Sequence, residues 1–217
     1  MNLPTRRQRF EEIYGKRLWK STESASGRGS ELDRTTNLRT KLPELIEKYD
    51  IKSIVDAPCG DFNWMRLVLE KVNVTYTGLD IVDDLIKDNN EKYRSDKVDF
   101  GRADICEDKL PACDLLIVRD CLIHLSYRDI DAFLKNIQDV DYKYLLVSSY
   151  VGDSEIENKD ITTGDVRVVN LFKHPFNFDR DKVLDVILDV RKSTARVNSE
   201  ILLRKSDVPV GVAETAV

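Results

Sequence analysis

The sequence lacks any apolar run of the roughly 18 to 20 residues that span a bilayer, and its opening MNLPTRRQRF has no apolar centre of the kind a secretion signal carries. A cytoplasmic protein with no membrane partner is the expectation. Histidine is scarce, with two residues, and the four cysteines Cys59, Cys106, Cys113 and Cys121 include no C-x-x-C pair. A zinc site needs ligands this spacing does not offer, so no metal is expected, and the cysteines read as small buried hydrophobes in a reducing compartment. A positive excess is also missing. Lys and Arg number 34 against 39 Asp and Glu, a formal charge of −5, which gives no general attraction to nucleic acid. No internal repeat is present, and 217 residues fit one large core better than two small ones.

What is present is an alternation of β-branched runs with helix-like stretches, the pattern of a parallel sheet covered by helices. Strands are expected at Ser53 to Asp56, Tyr76 to Asp80, Val98 to Arg102, Asp114 to Arg119, Tyr142 to Ser148, Val183 to Asp189 and Glu200 to Arg204. Asn63 to Val72, Val82 to Tyr93 and Arg128 to Val140, the last capped by Ser126, read as crossover helices. Only Arg191 to Val197 separates the last two strands, too short for a helical crossover, so that pair is expected to be antiparallel. The fold class is therefore α/β: a seven-stranded, mostly parallel sheet with helices on both faces and an antiparallel last strand. Ser30 reads as the N-cap of a helix from Leu32 to Tyr49, with Asp33 in its first turn and an interruption at Pro43. The expected organisation is an N-terminal lid segment at 1–31, a main domain at 32–206 with an insertion at 151–180, and a frayed tail at 207–217.

Ser53 to Asp56 ends in an acid and runs straight into Ala57-Pro-Cys-Gly-Asp61 before a helix. In open α/β sheets ligands bind beyond the carboxyl ends of strands, where small residues admit a ligand to the backbone. The next strand ends in Asp80, an acid placed to accept both hydroxyls of a ribose, with Ile81 following. A third acid, Asp104, closes the following strand, where it can accept from an adenine amine while Ile105 packs on the ring. Each acid alone can be a helix cap. Three in order point to a nucleoside, and the first loop lacks the G-x-G-x-x-G spacing of a pyrophosphate cradle, which disfavours a nicotinamide-dependent dehydrogenase.

Asp56, Gly60, Asp80 and Asp104 resemble the motif acids and loop glycine of class I S-adenosylmethionine-dependent methyltransferases. The resemblance implies the Rossmann-like methyltransferase fold and S-adenosylmethionine as cofactor. It places the loop of Ala57, Pro58, Cys59 and Gly60 against the methionine and sugar portions, Asp80 on the ribose and Asp104 at the adenine. Pro58 and the single loop glycine depart from the family pattern.

The fourth strand leads into Arg119-Asp-Cys-Leu-Ile-His124, beside the expected sulfonium. His124 is a candidate base, or else packs beneath Ser126. Asp120 orients His124, binds the acceptor or meets the methionine amino group. Arg119 serves the cofactor or only the loop. In the insertion Asn158 to Phe178, Arg167 offers a planar fork for phosphate or carboxylate, Asn170 offers an amide, and Phe176 and Phe178 shape a pocket or anchor a crossing. Residues 56–65, 119–124 and 158–178 resemble, more narrowly, small bacterial methyltransferases of capsule or surface-polysaccharide modification, including phosphoramidate methylation. That resemblance implies a small, sugar-linked or phosphorus-containing acceptor, with Tyr14, Trp19 and Ser26 to Ser30 in a lid. Trp19 is alternatively a packing anchor. A non-catalytic S-adenosylmethionine-binding partner or regulatory subunit is the competing function.

Overall fold

The computed structural model describes residues 4–151, 157–189 and 198–213. Seven strands form one sheet: β1 (Ser53–Asp56), β2 (Thr75–Asp80), β3 (Val98–Arg102), β4 (Cys113–Val118), β5 (Tyr142–Tyr150), β6 (Asp185–Asp189) and β7 (Asn198–Arg204). Their order is β3-β2-β1-β4-β5-β7-β6, with β7 antiparallel to both neighbours and the remaining pairs parallel. This is the expected Rossmann-like methyltransferase fold. Sequential strands run outward from β1 to β3 and then return to its other side as β4. The crevice at that reversal is where an open α/β sheet binds ligands.

Alternation along the central strands divides the core into two faces. Leu115 and Ile117 of β4 join Leu146 of β5 and Leu202 of β7 beneath α2 (Thr36–Lys48), α3 (Met65–Leu69) and α4 (Asp83–Tyr93). Leu116, Val118, Leu145 and Leu203 face the other way, against Ile130, Phe133 and Leu134 of α5 (Tyr127–Asn136). Ser126 caps α5 as expected, its hydroxyl accepting from the Asp129 N–H at 3.2 Å. Among the described residues no helix is long and apolar enough to cross a membrane.

Four expectations about the outer elements need correction. First, Ser30 does not cap a helix: it closes a 3-10 turn with Arg28, and α2 starts only at Thr36. The Thr35 hydroxyl spends itself on the Glu31 carbonyl at 3.0 Å, which stabilises the intervening turn. Second, α2 runs unbroken through Pro43. Proline removes the N–H that would reach the Arg39 carbonyl, and the Lys71 ammonium donates to that carbonyl instead, at 3.0 Å. Third, the first crossover holds only five helical residues, since the chain from Cys59 to Trp64 turns tightly, with Phe62 in the left-handed region and packed on Tyr76 and Phe100. Fourth, the chain beyond 207 is docked as far as 213: Val208 is buried, and the Val212 N–H donates to Asp131 at 3.0 Å. The expected link at 191–197 lies outside the described residues.

The N-terminal segment contains a helix, α1 (Arg6–Gly15), opened by a capping box in which Thr5 and Gln8 satisfy each other's backbone N–H groups. Arg6, Phe10 and Tyr14 fall at i, i+4 and i+8, one face of the helix. That face looks onto the crevice.

Candidate active site

A cavity of about 510 Å³ opens at the carboxyl ends of β1, β2 and β4, within the size range of small-molecule sites. Its floor is the first loop. The Ala57 N–H donates to Ile117 O at 2.9 Å and the Cys59 N–H to Leu79 O at 2.8 Å, so the chain past β1 stays stitched to both neighbouring strands. Gly60 then turns with φ +56, and a Cβ there would stand 2.2 Å from Ser26 Oγ. Glycine is required both by the backbone and by the approach of the N-terminal loop. Asp61 holds that loop, accepting from the Ser24 hydroxyl at 2.9 Å and the Ala25 N–H at 2.7 Å.

Asp80 is buried beneath the loop, accepting from the Gly60 N–H at 3.2 Å and the Val82 N–H at 3.1 Å. Burial raises its carboxyl to about 6 despite these donors. Asp56 lies deeper, bonded by the Tyr76 hydroxyl at 2.9 Å, and burial raises it to about 7. Both line the cavity. An ionised buried carboxylate with spare lone pairs is costly until hydroxyl donors reach it, which is what a bound ribose would provide. Asp104 completes the set, one oxygen accepting from the Cys106 N–H at 2.9 Å and the other from Arg6 Nε at 2.8 Å. The thiols of Cys59, Cys106 and Cys121 also line the cavity, and burial pushes all three upward, so they remain protonated and act as apolar wall. Among the described residues no group of three or more His, Cys, Asp or Glu side chains is placed to hold a metal ion.

The opposite wall comes from the loop after β4. Asp120 sits at φ +48, held by its N–H to Ser148 Oγ at 2.7 Å and by Asn198 Nδ2, which donates to Oδ1 at 3.0 Å. Its other oxygen is 3.2 Å from the Arg119 guanidinium, which also pairs with buried Glu200 at 3.4 Å and donates to Gly29 O at 2.9 Å. Arg119 and Asp120 thus join the sheet to the N-terminal loop, and a Cβ on Gly29 would come 2.8 Å from Asp120 Oδ2. Asp120 does not orient His124. That histidine is held by the insertion instead: its Nδ1 lies 2.8 Å from Asp165 O, and the Gly164 N–H donates to its carbonyl at 2.8 Å. A carbonyl only accepts, so Nδ1 carries the proton in the neutral ring and Nε2 keeps the lone pair. Burial lowers the His124 pKa, favouring that neutral form. Trp19 packs on the imidazole with ring centroids 5.5 Å apart.

Arg167 lines the same end of the cavity, over the Tyr127 ring at 5.4 Å. Its Nη1 donates to Leu122 O at 3.1 Å, while Nε and Nη2 are buried with no hydrogen-bond partner among the described residues. An unsatisfied buried guanidinium edge costs stability unless a ligand supplies acceptors.

The cavity therefore brings together Tyr14, Trp19, Asp56, Pro58, Cys59, Gly60, Asp80, Ile81, Asp104, Ile105, Arg119, Asp120, His124 and Arg167. Ala57 and Asn170 are not among its lining residues. Ala57 is core, and Asn170 is buried in a turn, its amide oxygen accepting from the Phe172 N–H at 3.0 Å, so it braces the insertion. Phe176 and Phe178 are likewise core, with Phe176 edge-on to Tyr127. Sequence reasoning missed Arg6 and Phe10, which line the cavity from α1, and Glu200 and Ser148 behind Asp120. The T-x-x-Q capping box was the available signal for the helix. Nothing local in β5 or β7 marks the last two.

Residues 54–140 match the family model described as a methyltransferase domain. No curated protein matches the sequence. Among solved structures, human N-acetylserotonin methyltransferase in complex with SAM is similar with a TM-score of 0.62 at 15% identity, over 93% of this chain and 60% of that one. The chain thus spans less than two thirds of that protein. Magnesium protoporphyrin IX methyltransferase from Synechocystis with bound SAM gives a TM-score of 0.61 at 9% identity, covering 94% of this chain and 100% of the other. A SAM-dependent methyltransferase of Leishmania major gives 0.61 at 16% identity, over 92% and 87%. The shared architecture shows a Rossmann-like methyltransferase fold, and residues 54–140 within it are similar to a methyltransferase domain.

Proposed function

We propose that the protein is an S-adenosylmethionine-dependent O-methyltransferase acting on a small polar acceptor. The observation that carries this reading is the convergence of Asp56, Asp80 and Asp104 on one cavity whose far end holds His124 with a defined tautomer. Asp80 is suited to the ribose hydroxyls and the Asp104–Ile105 edge to the adenine, leaving the sulfonium end toward Asp120 and His124. When bound, the cofactor would supply an electrophilic methyl group to the acceptor oxygen, with S-adenosylhomocysteine as the leaving group.

The chain's own part is orientation and proton removal. His124 Nε2 takes the hydroxyl proton, while Asp165 O holds the protonated side of the ring and Trp19 fixes its plane. Tyr14 and the α1 face exclude water from above. The open Nε and Nη2 edge of Arg167 fits an oxyanion on the acceptor, which favours a sugar-linked or phosphorus-containing molecule. With the narrower sequence resemblance, this supports a role in capsule or surface-polysaccharide biosynthesis, with a small molecule rather than nucleic acid as acceptor. The test is methyl transfer from labelled cofactor across a panel of phosphorylated and matched neutral sugars. Turnover confined to the phosphorylated members, and lost in Arg167→Gln, supports the reading; cofactor binding without transfer to any member favours a non-catalytic binding partner.

A further inference from the structure

We infer that Arg6 is a positioning residue that latches helix α1 over the cavity and makes the cofactor's residence time depend on that latch. The inference rests on the proposed cofactor site. Arg6 reaches from the first turn of α1 to three carboxylates: Asp104 at 2.8 Å, Asp129 at 2.8 Å and Glu107 at 3.0 Å. Asp104 and Asp129 are buried and Arg6 itself is largely covered, whereas Glu107 is exposed. The two buried pairs therefore carry the interaction, and the Glu107 pair is screened by water.

The geometry ties together parts of the molecule distant in sequence. Asp104 closes β3 and faces the cavity, so the guanidinium orients the carboxylate assigned to the adenine end. Asp129 lies in the first turn of α5 and also accepts from the Thr163 hydroxyl, and Thr163 Oγ1 accepts from the Ser126 N–H at 2.9 Å. The insertion holding Asp165 and Arg167 is thus fastened to the same node. It also touches α1 directly, because a Cβ on Gly164 would stand 2.5 Å from the Arg9 side chain. Helix α1 and the insertion form one roof. Phe10 and Tyr14, on the helical face shared with Arg6, close the cavity beneath it. A nucleoside under this roof leaves only when α1 lifts, and α1 lifts only when Arg6 parts from its carboxylates. Closure also pre-orients Asp104, so latching and cofactor binding favour each other.

The test is stopped-flow dissociation of S-adenosylhomocysteine from the full chain, paired with single-turnover methyl transfer. Arg6→Gln and, separately, Asp129→Asn are expected to raise the dissociation rate at least tenfold, and in Asp129→Asn the single-turnover rate at saturating cofactor should stay within twofold of the parent. Arg6→Lys should restore part of the slow release, and Glu107→Gln should change it less than twofold. Asp129 does not line the cavity, so faster release in Asp129→Asn reports the latch rather than a lost cofactor contact. Parent-like dissociation in both Arg6→Gln and Asp129→Asn overturns the inference, as does acceleration by Arg6→Gln alone. Failure of the parent protein to bind S-adenosylhomocysteine overturns the proposed function instead. If Arg6→Gln does not fold, Asp129→Asn decides.

Discussion

Acidification should release the cofactor through Asp80, and the size of the effect follows from its burial. Without ligand the carboxyl is raised from 3.8 to about 6, because ionisation beneath the first loop strips its water while the Gly60 and Val82 N–H groups compensate only partly. Two pH units correspond to ~3 kcal/mol. Two ribose hydroxyls donating to the carboxylate contribute ~1.5–3 kcal/mol each as charge-assisted bonds, enough to return the group to its ordinary range in the complex. Between roughly pH 6 and 4 the free protein therefore holds a proton that the complex does not. The Kd for S-adenosylhomocysteine should then rise about tenfold per pH unit below 6 and flatten above 7. Calorimetry at pH 5 in buffers of different ionisation enthalpy should detect the release of one proton on binding. Asp56, raised to about 7, titrates in a higher window, and Asp80→Asn should bind weakly with no pH dependence below 6. Equal affinity at pH 5 and 8, with no proton released, would refute the assignment of the ribose to Asp80.

Substituting His124 by Ala should lower turnover by ~10²–10⁴-fold, the usual worth of a positioned base, and leave the affinity for S-adenosylhomocysteine within twofold; equal losses in both would contradict the division of labour. The acid limb of the parent's kcat profile should lie below the usual histidine range, since burial lowers the His124 pKa. Because Asp56 and Asp80 are raised in the folded state, their stabilising contribution is present at low pH and lost as pH rises through about 6 and about 7. The ligand-free Tm should therefore fall between pH 5 and 8, and S-adenosylhomocysteine should raise it more at pH 8, as scanning calorimetry can check. Gly60→Ala forces a left-handed non-glycine residue, costing ~1–2 kcal/mol, and drives a Cβ to 2.2 Å from Ser26 Oγ. It should lower the Tm and weaken cofactor binding together, and unchanged affinity would show that the Ser26 loop does not shape the site.

The sheet was legible in the sequence because β-branched runs such as Ser53-Ile-Val-Asp56 and Asp114-Leu-Leu-Ile-Val118 have few other places to go in a chain this polar. The three acids were legible because their roles depend on strand ends, which the same runs define. Helix α1 was not, since RRQRFEEIYG buries only Ile13 and is held by ion pairs and a capping box rather than by an apolar stripe. For the same reason the partner of Asp104 was hidden: Arg6 is 98 residues away, and only the folded sheet brings the two together. Asn170 failed as a site residue because composition marks the insertion as unusual without saying which side chains turn inward. His124 was found, but its orienting partner is the Asp165 backbone carbonyl, a group every residue carries and no side-chain pattern reveals.

The most direct measurement is a crystal structure with S-adenosylhomocysteine. Ribose hydroxyls are expected on Asp80, adenine beside Asp104 and Ile105, and the sulfur turned toward His124 and Asp120 beneath Arg6, Phe10 and Tyr14. A nucleoside bound outside this cavity, or a sulfur turned away from His124, would contradict this arrangement.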